Sequence, residues 1–139
     1  ATDEYNGEVF IEGGNIELNV VTPDTKGIKA DAQMTISGGT ISGTVSGNGT
    51  KGISVDGDLT IKGVSENPSI NLKVTGTTYA AGTANESKCR GIKGKGNFTF
   101  DGGTIRISAT GAKSKAISVD GDYIYKSGSL NCIVDAANT

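Results

Sequence analysis

Histidine is absent from this 139-residue chain. That removes the usual acid/base side chain near neutral pH and the commonest zinc ligand. A Ser-His-Asp or Cys-His nucleophilic centre is therefore excluded. Cysteine is scarce: Cys89 and Cys132 stand alone, with no CxxC spacing, and two residues do not make a disulfide framework. No apolar run is long enough to span a bilayer. Charge of one sign is also missing. The formal net charge is -2 with a pI near 5.1, so no global field recruits nucleic acid. No signal peptide is visible, yet Ala1 is not an initiator Met. The chain is expected to be a processed or trimmed product, part of a longer protein.

Glycine is plentiful, at 22 residues, and a repeat accounts for it. Cutting before each Lys/Arg-Gly/Ala-Ile aligns KGIKADAQMTISGGTISGTVSGNGT (26–50), KGISVDGDLTIKG…SINLKVTG… (51–89), RGIKGKGNFTFDGGTIRISATGAKS (90–114) and KAISVDGDYIYKSGSLNCIVDAANT (115–139). Three blocks have 25 residues and block 51–89 has 39. Residues 1–25 form a fifth, degenerate copy that keeps VFIEGGNIELNV. Within each block three short runs alternate apolar and polar residues, the signature of strands with one buried face. One column holds Ile28, Ile53, Ile92 and Ile117. Others hold Val9, Met34, Leu59, Phe98 and Tyr123, then Ile11, Ile36, Ile61, Phe100 and Tyr125. Ile16, Ile41, Ile70, Ile105 and Leu130 follow, then Val20, Val45, Val74, Ala109 and Val134. No helical period survives, and Ile, Val and Thr suit strands.

Three strands per block, joined by turns too short for a helix, predict one all-β domain. It is a right-handed parallel β-helix (β-solenoid) of about five three-strand coils. Each strand pairs with its equivalent one coil away, at a spacing of about 4.8 Å. Gly13-Gly14, Gly38-Gly39 and Gly102-Gly103 mark one corner, and Gly57, Gly96 and Gly121 another. The extra residues of block 51–89 fall in VSENPS (64–69) and TTYAAGTANESK (77–88). Insertions in solenoids map to loops, often on a binding face, though plain decoration is the alternative. Thr139 stops at a repeat boundary with no cap, which suggests that the chain continues or that coils of neighbouring molecules meet there.

The phrase KGI-x-x-D-G-D-L-T-I-x-G, followed by GGTI, resembles a carbohydrate-binding β-helix family. Its type is a clostridial polygalacturonate-binding protein, and such domains also occur in Bacteroidetes surface proteins. The resemblance covers most of residues 5–139. It implies a right-handed parallel β-helix, binding of acidic polysaccharide, association with calcium and no catalysis.

Two ladders carry the candidate chemistry. Asn6, Asp31, Asp56, Lys95 and Asp120 share one position, and two residues on stand Glu8, Gln33, Asp58, Asn97 and Asp122. Carboxylates one strand apart repel unless a cation intervenes, so Asp31, Asp56 and Asp58 are candidate Ca²⁺ ligands. Corner Asp residues that hydrogen-bond their own turn backbone are the alternative, and Lys95 is a candidate built-in counter-charge. The second ladder is Lys26, Lys51, Arg90 and Lys115, which open four successive coils. A uronate polymer would satisfy such a row, with Arg90 taking a carboxylate bidentately. A solvated Lys edge that discourages strand pairing is the alternative. Tyr79, in the long insertion, is a candidate sugar-stacking face or a tyrosine laid over the barrel. Phe98, Phe100, Tyr123 and Tyr125 are expected inside. Cys132 is expected to be a buried free thiol, and Cys89, two coils away, is out of disulfide reach.

The leading expectation is a non-catalytic module, outside the cell or on its surface, that binds an acidic plant polysaccharide such as polygalacturonate. The alternatives are a structural stalk or adhesin segment and, third, a pectate-lyase-like enzyme. For the last, Arg90 and Arg106 are the sole arginines, and neither lies near an acidic cluster.

Overall fold

The computed structural model describes residues 7–135. Every regular element there is a strand, and every strand pairs in parallel with its counterparts. Asn6 of the Asp column lies outside the described residues, as does the expected end of the last coil at Thr139.

Strands β1 (Val9–Ile11), β4 (Met34–Ile36) and β7 (Leu59–Lys62) lead to the first half of β10 (Phe98–Ala109), and from there to β12 (Tyr123–Val134). Strands β2 (Asn15–Val20), β5 (Thr40–Val45) and β8 (Ser69–Val74) join the second half of β10. A separate sheet holds β3 (Lys26–Ala30), β6 (Lys51–Val55), β9 (Arg90–Gly94) and β11 (Lys115–Val119). The chain therefore winds as a solenoid of about five turns.

The columns read from the sequence pair in register. Val9 faces Met34, Met34 faces Leu59, Leu59 faces Phe98 and Phe98 faces Tyr123. Stacking like on like buries a continuous apolar wall: Ile36, Ile53, Val55, Ile61, Val74, Ile92, Phe98, Phe100 and Ile105 are fully buried. Such branched and aromatic side chains interdigitate on a pleated surface and draw their stability from the area removed from water.

The corners depend on glycine in two ways. At Gly57 the coils stack so closely that a Cβ would lie 2.3 Å from the Ala32 carbonyl oxygen. At Gly102 and Gly103 the expected corner is instead absorbed into one long strand. Positive φ of 114° and 109° there, with register shifts between Phe100 and Asp101 and between Asp101 and Thr104, lets β10 bend while it stays paired.

Three expectations about the last coil need correction. Tyr123, Tyr125 and Cys132 hold their registers, yet all three are exposed. The reason is that β12 pairs with β10 on one side and with no other strand among the described residues. Its side chains lie at an uncovered edge among the described residues, whereas Phe98, Phe100 and Ile107, one coil in, are fully buried. Cys89 is buried and Cys132 exposed, and both are free thiols.

Candidate functional site

The basic column is real as geometry. Lys26 stands in register with Lys51, Lys51 with Arg90, and Arg90 with Lys115. Its members nevertheless differ in surroundings, and the 75–89 loop is the cause. Tyr79 and Ser87 exchange two backbone hydrogen bonds, which close that loop on itself. Gly49 N–H donates to the Thr77 carbonyl at 2.8 Å, and Asn48 Oδ1 accepts from Thr77 N–H and hydroxyl. The loop is thus tied down over the turn that precedes Lys51.

Lys51 bends under it. Its ammonium donates to the Gly49 carbonyl at 3.1 Å and to the Ser87 hydroxyl, which itself donates to Gly49 at 3.0 Å. Burial, then the charge of Lys26, holds Lys51 below the ordinary lysine pKa. Arg90 is only 9% exposed. Its Nη1 donates to the carbonyls of Cys89 at 2.9 Å and Lys113 at 3.4 Å. Burial pushes its pKa down. Among the described residues no carboxylate pairs with either Lys51 or Arg90.

Together Lys51, Arg90, Lys93, Ser118 and the loop residues Glu86 and Lys88 line an open hollow of about 250 Å³. Lys26 belongs to another hollow, of about 370 Å³, with Glu17, Asn19, Thr22 and Thr25. Tyr79 is 39% exposed, and its Cβ packs near Gly49.

The acidic column is neutralised from within. Lys29 Nζ lies 2.8 Å from Asp31 Oδ1 and 2.6 Å from Asp56 Oδ2. Lys95 reaches the other oxygen of Asp56 at 2.9 Å, so its counter-charge role is realised. Two coils along from Lys29 and Asp56, Lys93 pairs with Asp120. Asp58 does different work: its Oδ1 accepts the Asn97 N–H at 2.8 Å, and Asn97 Oδ1 in turn accepts the Asp122 N–H. The expected bond from a corner Asp to its own turn is thus displaced by one coil: Asp58 and Asn97 each serve the turn of the next coil. These contacts also bear on calcium. Asp31, Asp56 and Asp58 already have ammonium or N–H partners, and no group of three or more His, Cys, Asp or Glu converges among the described residues. The donor set fits an ammonium better than Ca²⁺, which wants six or more oxygens.

Lys29 and Lys93 share one column, alternating with Ser54 and Ser118, and reading by columns of like residues passes over them. The available signal was spacing. Lys29 and Asp31 stand two apart, on one face of the chain.

A pH effect follows. Hydrogen bonds from Lys29, then Lys95, hold the Asp56 carboxyl below its ordinary value of 3.8. A depressed acid contributes stability above its unfolded pKa and loses it as pH falls through the folded one. Asp56→Asn is therefore expected to lower the urea midpoint at about pH 6 and to make much less difference at about pH 2. Equal differences at both pH values would show that the pairing adds nothing.

Comparison with known proteins returns one relationship. No curated protein and no solved structure matches the chain. A family model described as "Carbohydrate-binding domain-containing protein" matches residues 1–136, nearly the whole chain. With the parallel solenoid and its polar outer faces in view, the chain belongs to this family of carbohydrate-binding domain-containing proteins.

Proposed function

We propose that the protein is a non-catalytic module that binds an acidic polysaccharide, a uronate-rich polymer of the polygalacturonate type, outside the cell or on its surface. The observation that carries this reading is the in-register basic column Lys26, Lys51, Arg90 and Lys115. Four cations on neighbouring coils raise the local positive potential, even with the 75–89 loop folded over the Lys51 rung, and a nearby anion relieves it. Carboxylates repeated along a polymer meet that need, and a rigid rod loses little entropy in offering it. The stalk reading explains the column only as a solvated Lys edge, which does not account for the buried Arg90. The lyase reading lacks an acid/base pair. Arg90 spends Nη1 on carbonyls, and Arg106 stands in register between Asn71 and Asn131.

Glycan-array binding tests the proposal. Pectic polymers are expected to bind more tightly than neutral glucans, and added salt is expected to weaken them. Binding is expected to be the same with and without chelator. Lys26→Glu and Lys115→Glu should each weaken polymer binding by about tenfold, or about 1.4 kcal/mol. Unchanged affinity in both variants would remove the extended column from the binding surface.

A further inference from the structure

We propose that the hollow between the 75–89 loop and the outer face of β6, β9 and β11 is an oxyanion subsite, which seats one carboxylate or sulfate ester of a glycan against the Arg90 guanidinium. This rests on the anionic-glycan reading above and sharpens it from a polymer track to a particular charged sugar unit.

The first support is Arg90 itself. A guanidinium is rarely buried without an acidic partner, because leaving water costs it several kcal/mol. Arg90 is 9% exposed, and its protein partners are two neutral carbonyls. Those bonds orient the group through Nη1 and leave Nε and Nη2 without a protein partner among the described residues but not sealed from solvent, so that they are open to a ligand at the hollow that Arg90 lines. A planar two-oxygen or tetrahedral oxyanion matches the fork.

The second support is the neighbouring ammonium. Lys51 is held by the Gly49 carbonyl and the Ser87 hydroxyl, both neutral, and lies one strand from Arg90. Glu86, the one acidic residue in the lining, is already engaged. Its Oε2 accepts the Gly82 N–H at 2.8 Å, and Oε1 lies 3.6 Å from Lys88 Nζ. Lys93 is turned toward Asp120, and Ser118 supplies a hydroxyl beside it.

The third support is the loop. The three 25-residue blocks lack these extra residues, and without them the hollow would have no outer wall. Lodged over Gly49 and Lys51, the loop also interrupts the column, since Lys26 opens into a different hollow. A space of about 250 Å³ accepts a sugar's charged substituent, not a stretch of polymer.

Calorimetric titration of the full chain with a short oligogalacturonate, a sulfated oligosaccharide and a neutral cello-oligosaccharide tests this. Ser118→Glu places a carboxylate in the hollow without removing a core contact, and Arg90→Gln removes the fork. Each is expected to weaken the anionic ligand by at least about tenfold and to leave the thermal midpoint of Ser118→Glu near wild type. Lys73→Ala, on the outer face of β8, is expected to bind as wild type does. Preference between the uronate and the sulfated sugar identifies which oxyanion the subsite takes. If Arg90→Gln does not fold, Ser118→Glu decides alone. Anionic binding that stays within about twofold in the variants overturns the subsite and leaves the anionic-glycan reading standing. If the wild type binds neither anionic sugar, both readings fall.

Discussion

Gly43→Ala is expected to lower the thermal midpoint by about 10 °C, near 3 kcal/mol for a domain of this size. The direction runs against the sequence pattern. Gly43 occupies an apolar column, paired in register with Leu18 on one side and Leu72 on the other. Filling a gap in a column of leucines would ordinarily be a stabilising change. Here the backbone forbids it. Gly43 adopts φ 152°, and a Cβ built on it would sit 1.9 Å from the Leu18 carbonyl oxygen and 2.8 Å from the Leu18 nitrogen. The side chain would point along the sheet into β2, not into the core. Alanine must either force β2 away, at the cost of its hydrogen bonds, or flip the local backbone. Gly43→Leu should be worse, since its extra volume enters the same space. A midpoint equal to or above wild type for Gly43→Ala would show that β5 relaxes into an ordinary strand.

Phe98→Ala should cost about 3–5 kcal/mol, whereas Tyr123→Ala should cost no more than about 1.5 kcal/mol. The two residues stand directly opposite each other in register, at the same position of successive coils. Their rings meet edge to face, with centroids 5.3 Å apart. Burial separates them. Phe98 is 0% exposed, with Leu59 below and Tyr123 above, and its removal leaves a cavity closed on both sides. Tyr123 is 44% exposed, so its truncation forfeits the ring contact and partial burial but opens no enclosed void. Urea unfolding of the two variants measures the difference. Equal losses would mean that the outer face of β12 is covered in solution.

The repeat made most of this architecture legible. Block length, strand alternation and the column assignments follow from apolar residues recurring at fixed offsets, because parallel stacking places each residue on its own counterpart. Ile28 on Ile53 on Ile92 required no three-dimensional information. The basic column was legible for the same reason, and so was the counter-charge at Lys95.

What sequence could not supply was anything that depends on which side of a coil is occupied, or on where a long side chain turns. Lys26, Lys51 and Arg90 are equivalent as letters. The tertiary structure makes them unequal, because one loop folds over a single rung, draws Lys51 toward Ser87 and walls in Arg90. Tyr123 and Phe98 are equivalent in the pattern and opposite in burial. Asp31 and Asp56 read as two carboxylates in want of a cation, and Lys29, from within the same strand-turn, reaches both. The sequence by itself determined the solenoid, its register and its columns, since those are set by the period of apolar residues. Only the tertiary structure decided which charges are paired within the fold and which have no acidic partner among the described residues, since that turns on rotamers and loop closure that no period encodes.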